Sequence, residues 1–167
     1  TQNASDDDFL EFRCIPLHGH VRQIWVPVKT IRGSGPPTDE LTRLNRTHHI
    51  FVGVALRRRK GGERQDVSAA RCLWADYDNG LPEPWPEAIP PPSMVVESSP
   101  GRFHYYWFLD GGSIDLDVVE HCNARIAVLT GGDSVGDRAR VMRVPGFRNH
   151  KHSEKPVSIL RECHLDR

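Results

Sequence analysis

The chain has 167 residues, 38% hydrophobic and 26% charged, which is enough for one buried core and ordinary for a globular domain. Lys plus Arg total 22 and Asp plus Glu total 22, so the net charge is zero and no global basic field points to nucleic acid; only local clusters can do so. The longest apolar run, Ile50 to Leu56, is interrupted by Gly53 and is too short to span a bilayer. The opening TQNASDDD carries no basic-then-apolar leader, so the expectation is a cytoplasmic protein with no membrane partner.

In chain order, residues 9–16 (FLEFRCIP) and 21–28 (VRQIWVPV) read as strands, and GSGPPTDE as a turn with a helix start. HIFVGVAL is a buried strand. The charged loop RRRKGGERQD follows it, and its Arg57, Arg58, Arg59 and Lys60 form a basic block suited to a nucleic-acid backbone or to plain solvation. CLWADYD is the next strand. Six prolines between Pro82 and Pro92 then exclude regular structure. SMVVES and FHYYWFL form a hairpin around SPGR. Ser113 is the expected cap of a helix in which Leu116, Val119, Cys122, Ile126 and Leu129 make one amphipathic face, and Gly131-Gly132 end it. ARVMRV is extended, PGFRNHK is a turn, and PVSILREC closes the chain as a strand. Nothing repeats. The order predicts one domain over residues 1–167, of mixed α/β (α+β) class. Cys14, Cys72, Cys122 and Cys163 are far apart with no Cys-x-x-Cys pair, which favours reduced, buried thiols over a zinc site.

Three stretches carry chemistry. In WADYD, residues two apart on a strand share a face, so Asp76 and Asp78 point the same way, with Cβ atoms roughly 6–7 Å apart. Leu73, Ala75 and Tyr77 take the opposite face, toward core. Carboxylates this close repel, which raises a pKa or calls for a cation, and hard oxygen ligands suit Mg²⁺ or Mn²⁺. Taken alone, the pair also fits two surface acids at a strand end. The stretch GGDSVGDRARVMRVPGFRNHK sets Asp133 after Gly-Gly. It then carries Arg138, Arg140, Arg143, Arg148 and Lys151 against Asp137. Such a cluster suits a triphosphate, a nucleic-acid backbone or a solvated surface; Met142 and Val144 alternating with Arg143, and the Pro-Gly-Phe turn, favour an ordered arrangement. In SSPGRFHYYW, a turn presents Arg102 and His104 at the start of an aromatic strand, where His104 by itself reads as a core histidine.

In this order the three stretches resemble the archaeo-eukaryotic primase superfamily, and most of all the primase-polymerases of plasmids, phages and integrated mobile elements, including the replication-primase type. The matching motifs are a hydrophobic–Asp-x-Asp strand (WADYD), a small-x-His strand (RFHYYW after SSPG), an Asp after a small residue (GGD), and RVMRVPGFRNHK, similar to R-x-x-R-x-P-G-x-x-N-x-K. They span about residues 50–155. The resemblance implies a mixed-sheet catalytic core in which an N-terminal α/β portion packs against an RRM-like portion, with the site in the cleft between them. It implies template-directed nucleotidyl transfer: a DNA primase and/or DNA polymerase making primers on single-stranded DNA by a two-metal mechanism with Mg²⁺ or Mn²⁺. Asp76, Asp78 and Asp133 would be the catalytic, metal-binding residues. His104, Arg140, Arg143 and Lys151, with Asn149 nearby, would hold the triphosphate of an NTP or dNTP. A helicase or other replication domain in a longer protein is the implied partner. Two features depart from the family pattern. Arg102 occupies the small-residue position, and Asp137 lies close enough to Asp133 to compete as third ligand. Asp133 is favoured because it directly follows Gly-Gly, leaving Asp137 to orient the arginines.

Two other readings compete. A histidine–hydrophobic–histidine nicking nuclease would use His18 and His20 or His150 and His152, with Tyr105 or Tyr106 as nucleophile, but Gly and Lys are poor middle residues and the acids would stand idle. A non-catalytic RRM-like binder would stack bases on Tyr105, Trp107 or Phe108, though alternating aromatics on a strand are more often core.

Overall fold

A computed structural model describes residues 5–80, 83–110, 115–151 and 156–162, with side chains as far as residue 160. Among these residues the strands are β1 (Phe9–Pro16), β2 (Arg22–Pro27), β3 (His48–Gly53), β4 (Ala55–Arg57), β5 (Val67–Ala70), β6 (Cys72–Tyr77), β7 (Met94–Ser99), β8 (Arg102–Phe108), β9 (Val141–Arg143) and β10 (Ser158–Glu162). The α-helices are α1 (Val28–Ser34), α2 (Thr38–Leu44) and α3 (Leu116–Thr130). The fold is α+β, as the order of elements predicts, and no described helix is long and apolar enough to cross a membrane.

Two antiparallel sheets make the frame. In the first, β1 pairs along one edge with β2 and along the other with β3 and β4; β5 extends it beyond β4, and β9 beyond β3. The second runs β10-β7-β8-β6. One core cluster joins the sheets through Ala55, Val67, Trp74, Val96, Val119 and Met142. A second lies under α3 and the proline-rich loop, with Ala75, Tyr77, Ile89, Tyr105, Trp107 and Ile126. A third packs α2 on β1–β3 through Phe12, Cys14, Leu41, Leu44 and Ile50.

The structure differs from the sequence expectation in four places. HIFVGVAL is two strands, because at Val54 the backbone N–H leaves the ladder and donates to Arg140 O at 3.2 Å. Val28 starts a short helix where strand was expected; its N–H donates to Asp8 O at 2.8 Å and its side chain is buried, so tertiary contact overrides a β-branched, Gly-bearing sequence. Val67–Ala70, between the expected loop and the expected strand and assigned to neither, is a strand whose four side chains are all buried. On α3 the inward face is Val119, Asn123, Ile126, Ala127 and Thr130, while Leu129 is 50% exposed. Asn123 is buried because its Oδ1 accepts the Trp74 N–H at 3.0 Å, satisfying a backbone donor of β6. Asp115 caps this helix by accepting from the N–H groups of Asp117 and Val118; Ser113, the expected cap, lies outside the described residues, as does Cys163. Cys14, Cys72 and Cys122 are free thiols, and burial pushes Cys14 up to about 11 and Cys72 up to about 12, so both stay protonated and unreactive.

The basic block is smaller than the sequence suggests. Arg57 is fully buried, and its Nη2 sits 3.0 Å from Oε2 of the equally buried Glu11. Its Nη1 and Nη2 also donate to the carbonyls of Arg138 (3.2 Å) and Ala139 (3.0 Å). Glu11 accepts further from Arg13 (2.6 Å) and Gln23 (2.9 Å). Arg57 therefore ties β1 and β4 to the loop before β9 and cannot touch a nucleic acid. Removing it leaves the buried Oε2 of Glu11 and two carbonyls without their donor. Arg57→Ala should cost about 3–5 kcal/mol of stability, read as a lower urea midpoint. An unchanged midpoint would mean that the pair carries no net stability.

Candidate active site

The end of β6 holds the first two acids. Asp76 lies directly across the ladder from His104 on β8, and Ala75 and Tyr77 face the core, as strand alternation requires. Trp74, on the Asp76 side, is also buried, because deeper in the molecule that side packs against the first sheet.

The third acid arrives from α3. Tyr77 Oη and Thr130 Oγ1 are 2.7 Å apart, and Thr130 Oγ1 donates to Ile126 O, which pins the helix end to β6. Gly131 closes the helix in the left-handed conformation, φ 70°. A Cβ on Gly132 would stand 3.2 Å from both Asp76 O and the Tyr77 ring, so this position needs glycine for the close approach. The Asp133 N–H then donates to Asp76 O at 2.9 Å. As a result, one carboxylate oxygen from each of Asp76, Asp78 and Asp133 lies within 4.8 Å of the others. Asp137 is not in this group; it pairs with Arg140 at 2.8 Å.

Asp76 and Asp78 lie on one side of a cleft between the two sheets, with Asp133 clustered beside them. Phe51 on β3, Val141–Arg143 on β9, and Arg140, Asn149 and Lys151 form the opposite wall, while Ser98, Ser99, Arg102 and His104 form the floor. Burial, then the neighbouring Asp78 and Asp133 charges, push Asp76 up to about 6, against the pull of Arg140. Burial, then Arg143, push His104 down to about 4, so at neutral pH it is uncharged. Its Nε2 stands 3.7 Å from Asp76 Oδ1, and its Nδ1 has no partner among the described residues. The buried Ser99 Oγ and Arg140 Nε are likewise unpaired there. Arg143 lies over the Phe51 ring at 4.8 Å and meets His49 Nδ1 at 3.2 Å.

Other residues of the basic stretch make structural contacts. Asn149 is buried; its Nδ2 donates to Ser98 O at 2.8 Å and its Oδ1 accepts the Lys151 N–H at 3.0 Å, so it positions Lys151 and ties the turn to β7. Arg138 is held by Glu120 (2.8 Å) and by Asp117, and the Arg138 hydrogen bonds hold Glu120 down at about 2. The Arg148 backbone N–H donates to Asn45 Oδ1 at 2.7 Å, while the residue itself is exposed. The sequence missed Glu11, Glu120, Asn45 and Asn123, since single polar residues that pair across long separations leave no local pattern.

Among the described residues the competing sites do not assemble. His18 and His20 are exposed in a loop, His150 Nε2 meets Asn45 O at 2.6 Å, and His152 lies outside the described residues. Tyr105, Tyr106 and Trp107 are core; of the expected stacking residues only Phe108 reaches 39% exposure.

Three oxygen donors in mutual repulsion, beside unpaired buried polar atoms, fit a hard divalent cation such as Mg²⁺ or Mn²⁺ with an anionic ligand next to it. Because Asp76 sits above its ordinary value of 3.8, the cation-free protein loses stability as pH rises from about 4 to about 6. A cation competes with that proton. Mn²⁺ affinity should therefore fall as pH drops below about 6, approaching tenfold per unit, in titrations between about pH 5 and 8. A flat profile would exclude Asp76 as a ligand.

Residues 85–162, just under half the chain, match the family model described as the RepB DNA-primase N-terminal domain. That segment holds His104, Asp133 and the basic cluster but not Asp76 or Asp78. None of the curated proteins matches the sequence. Among solved structures, the primase-polymerase domain of cyanophage S-2L is similar over 92% of this chain and 80% of its own, with TM-score 0.68 and 16% identity. The catalytic domain of primase RepB′, solved in complex with initiator DNA, covers 92% and 77%, with TM-score 0.68 and 14% identity. The chain thus has the fold of archaeo-eukaryotic primase-like domains of plasmids and phages.

Proposed function

We propose that this primase-like domain is a nucleotidyltransferase, a DNA primase and/or DNA polymerase that makes primers on single-stranded DNA from NTPs or dNTPs. The observation that carries the reading is the cluster of Asp76, Asp78 and Asp133, two of which line one cleft with His104, Arg143 and Lys151, an arrangement of acids for cations beside bases for a triphosphate. Asp76, Asp78 and Asp133 would hold Mg²⁺ or Mn²⁺. Bound divalent ions supply the charge that activates a 3′-hydroxyl toward an α-phosphate and stabilises the departing pyrophosphate.

The chain's own residues do the positioning. His104, neutral through burial, offers a ring N–H to a phosphate oxygen. Arg143 can fork onto two phosphate oxygens, and Lys151 adds a point charge. Arg140, oriented by Asp137, reaches the same cleft. Asn149 acts through Lys151. The template would lie along the exposed Arg58, Arg59 and Lys60, without Arg57. Of these, Arg58 already donates to Val67 O at 3.0 Å and Arg59 pairs with Asp66 at 2.5 Å, so Lys60, 5.8 Å from the Phe9 ring, carries the looser charge. A helicase or other replication domain in a longer protein is the partner this chemistry would serve.

Divalent-dependent incorporation of labelled nucleotide on single-stranded DNA tests the proposal. Asp76→Ala, Asp78→Ala and Asp133→Ala should each abolish incorporation in folded protein, and Asp137→Ala should reduce it less; near-normal activity in any of the first three sinks the metal assignment. His104→Ala, Arg143→Ala and Lys151→Ala should raise the nucleotide KM about ten- to a hundredfold, from the loss of about 1.5–3 kcal/mol per charge-assisted contact. Lowered thermal stability with unchanged KM would instead make these residues structural. Replacing Arg58, Arg59 and Lys60 together by Ser should weaken single-stranded DNA binding and flatten its salt dependence; identical binding at low salt would remove them from the template path.

A further inference from the structure

Arg102 stands where the resembled motif has a small residue, and it lies on the floor of the cleft. It opens β8 two residues before His104, so both side chains leave the strand on the face that carries the acids. The β6–β8 register pairs Trp74 with Tyr106 and Asp76 with His104; one further step sets Asp78 opposite Arg102. Arg102 Nη1 lies 2.7 Å from Asp78 Oδ1, a cross-strand ion pair. The two side chains are 34% and 46% exposed, so packing locks neither and the pair is of the weak, screened kind.

A guanidinium cannot ligate a metal, and its charge repels one. While Arg102 rests on Asp78, the charge of that carboxylate is partly offset and one of its oxygens is occupied. We propose that Arg102 is a resident counter-cation of Asp78 that gives the carboxylate up to a divalent ion when a triphosphate enters, and so couples metal loading to nucleotide binding. The inference rests on the metal-site reading of the three acids and extends it to the order of loading. Without nucleotide, an incoming ion must drive Arg102 off Asp78 with no other anion provided for it. With nucleotide in the same cleft, phosphate oxygens supply a bidentate partner for the released fork. Each ligand then strengthens the other's binding by the same factor, as linkage requires.

The test is direct Mn²⁺ titration, followed by the electron paramagnetic resonance of free Mn²⁺. It is run with and without a nucleotide analogue that cannot be cleaved between its α- and β-phosphates. Wild type, Arg102→Ala, Arg102→Lys, Asp76→Asn and Asp78→Asn are compared. Removing the screened charge should tighten Mn²⁺ binding about three- to tenfold in the absence of nucleotide, and should shrink the gain on adding the analogue by a similar factor. Arg102→Lys, which keeps the charge, should stay near wild type. If Arg102→Ala fails to fold, Arg102→Gln serves for the same comparison. Binding no tighter than wild type overturns the proposal, and so does tighter binding with an undiminished nucleotide gain. Wild-type Mn²⁺ binding that is absent, or that survives both Asp76→Asn and Asp78→Asn, brings down the metal-site reading itself.

Discussion

One backbone hydrogen bond, from the Asp133 N–H to the Asp76 carbonyl, holds together three side chains that repel each other. Burial first, and the Asp78 and Asp133 charges after it, push Asp76 from 3.8 up to about 6. The fold sustains it by fixing the backbone on which the three acids stand. Tyr77 and Thr130 clamp helix to strand, and Gly132 lets the chain lie against β6. A carboxylate raised in this way beside other acids is the kind of group that clusters at functional sites.

The opposite wall is held as firmly by other means. Its residues follow a loop with little regular structure, so polar side chains anchor it at successive points. Arg57, itself held by Glu11, grips the carbonyls of Arg138 and Ala139, Glu120 and Asp117 hold the Arg138 side chain, Asn45 takes the Arg148 N–H, and Asn149 reaches Ser98. These anchors come from the first sheet, α3, the end of α2 and β7, so the basic wall is registered against both halves of the molecule. Arginines that look equivalent in the sequence are thereby divided. Arg57 and Arg138 are structural, while Arg140 and Arg143 face the cleft.

Strongly patterned elements were legible in advance. The β7–β8 hairpin, α3 and β6 follow from alternation, helical spacing and turn residues, and the Asp76–Asp78 pairing follows from strand geometry alone. The break at Val54, helix α1 and strand β5 were not legible. In each case a tertiary contact decides a segment whose local preference is weak or contrary: the Arg140 carbonyl, the Asp8 carbonyl, and burial of Val67–Ala70 in the first sheet. The face of α3 rotated for a similar reason. The Asn123 amide is worth burying only because it meets the Trp74 N–H, a partner 49 residues away.

By itself the sequence determined the class of fold, the strand face shared by Asp76 and Asp78, and the order of motifs that resembles a primase. These are local properties, set by side-chain periodicity and by Gly and Pro. Only the tertiary structure decided that Asp133 rather than Asp137 joins the acids, that Arg57 is interior, that Asn149 serves Lys151, and that Arg102 rests on Asp78. Each depends on which charge finds which partner. Spacing along the chain does not encode that, because the partners approach through the packing of separate strands, helices and loops.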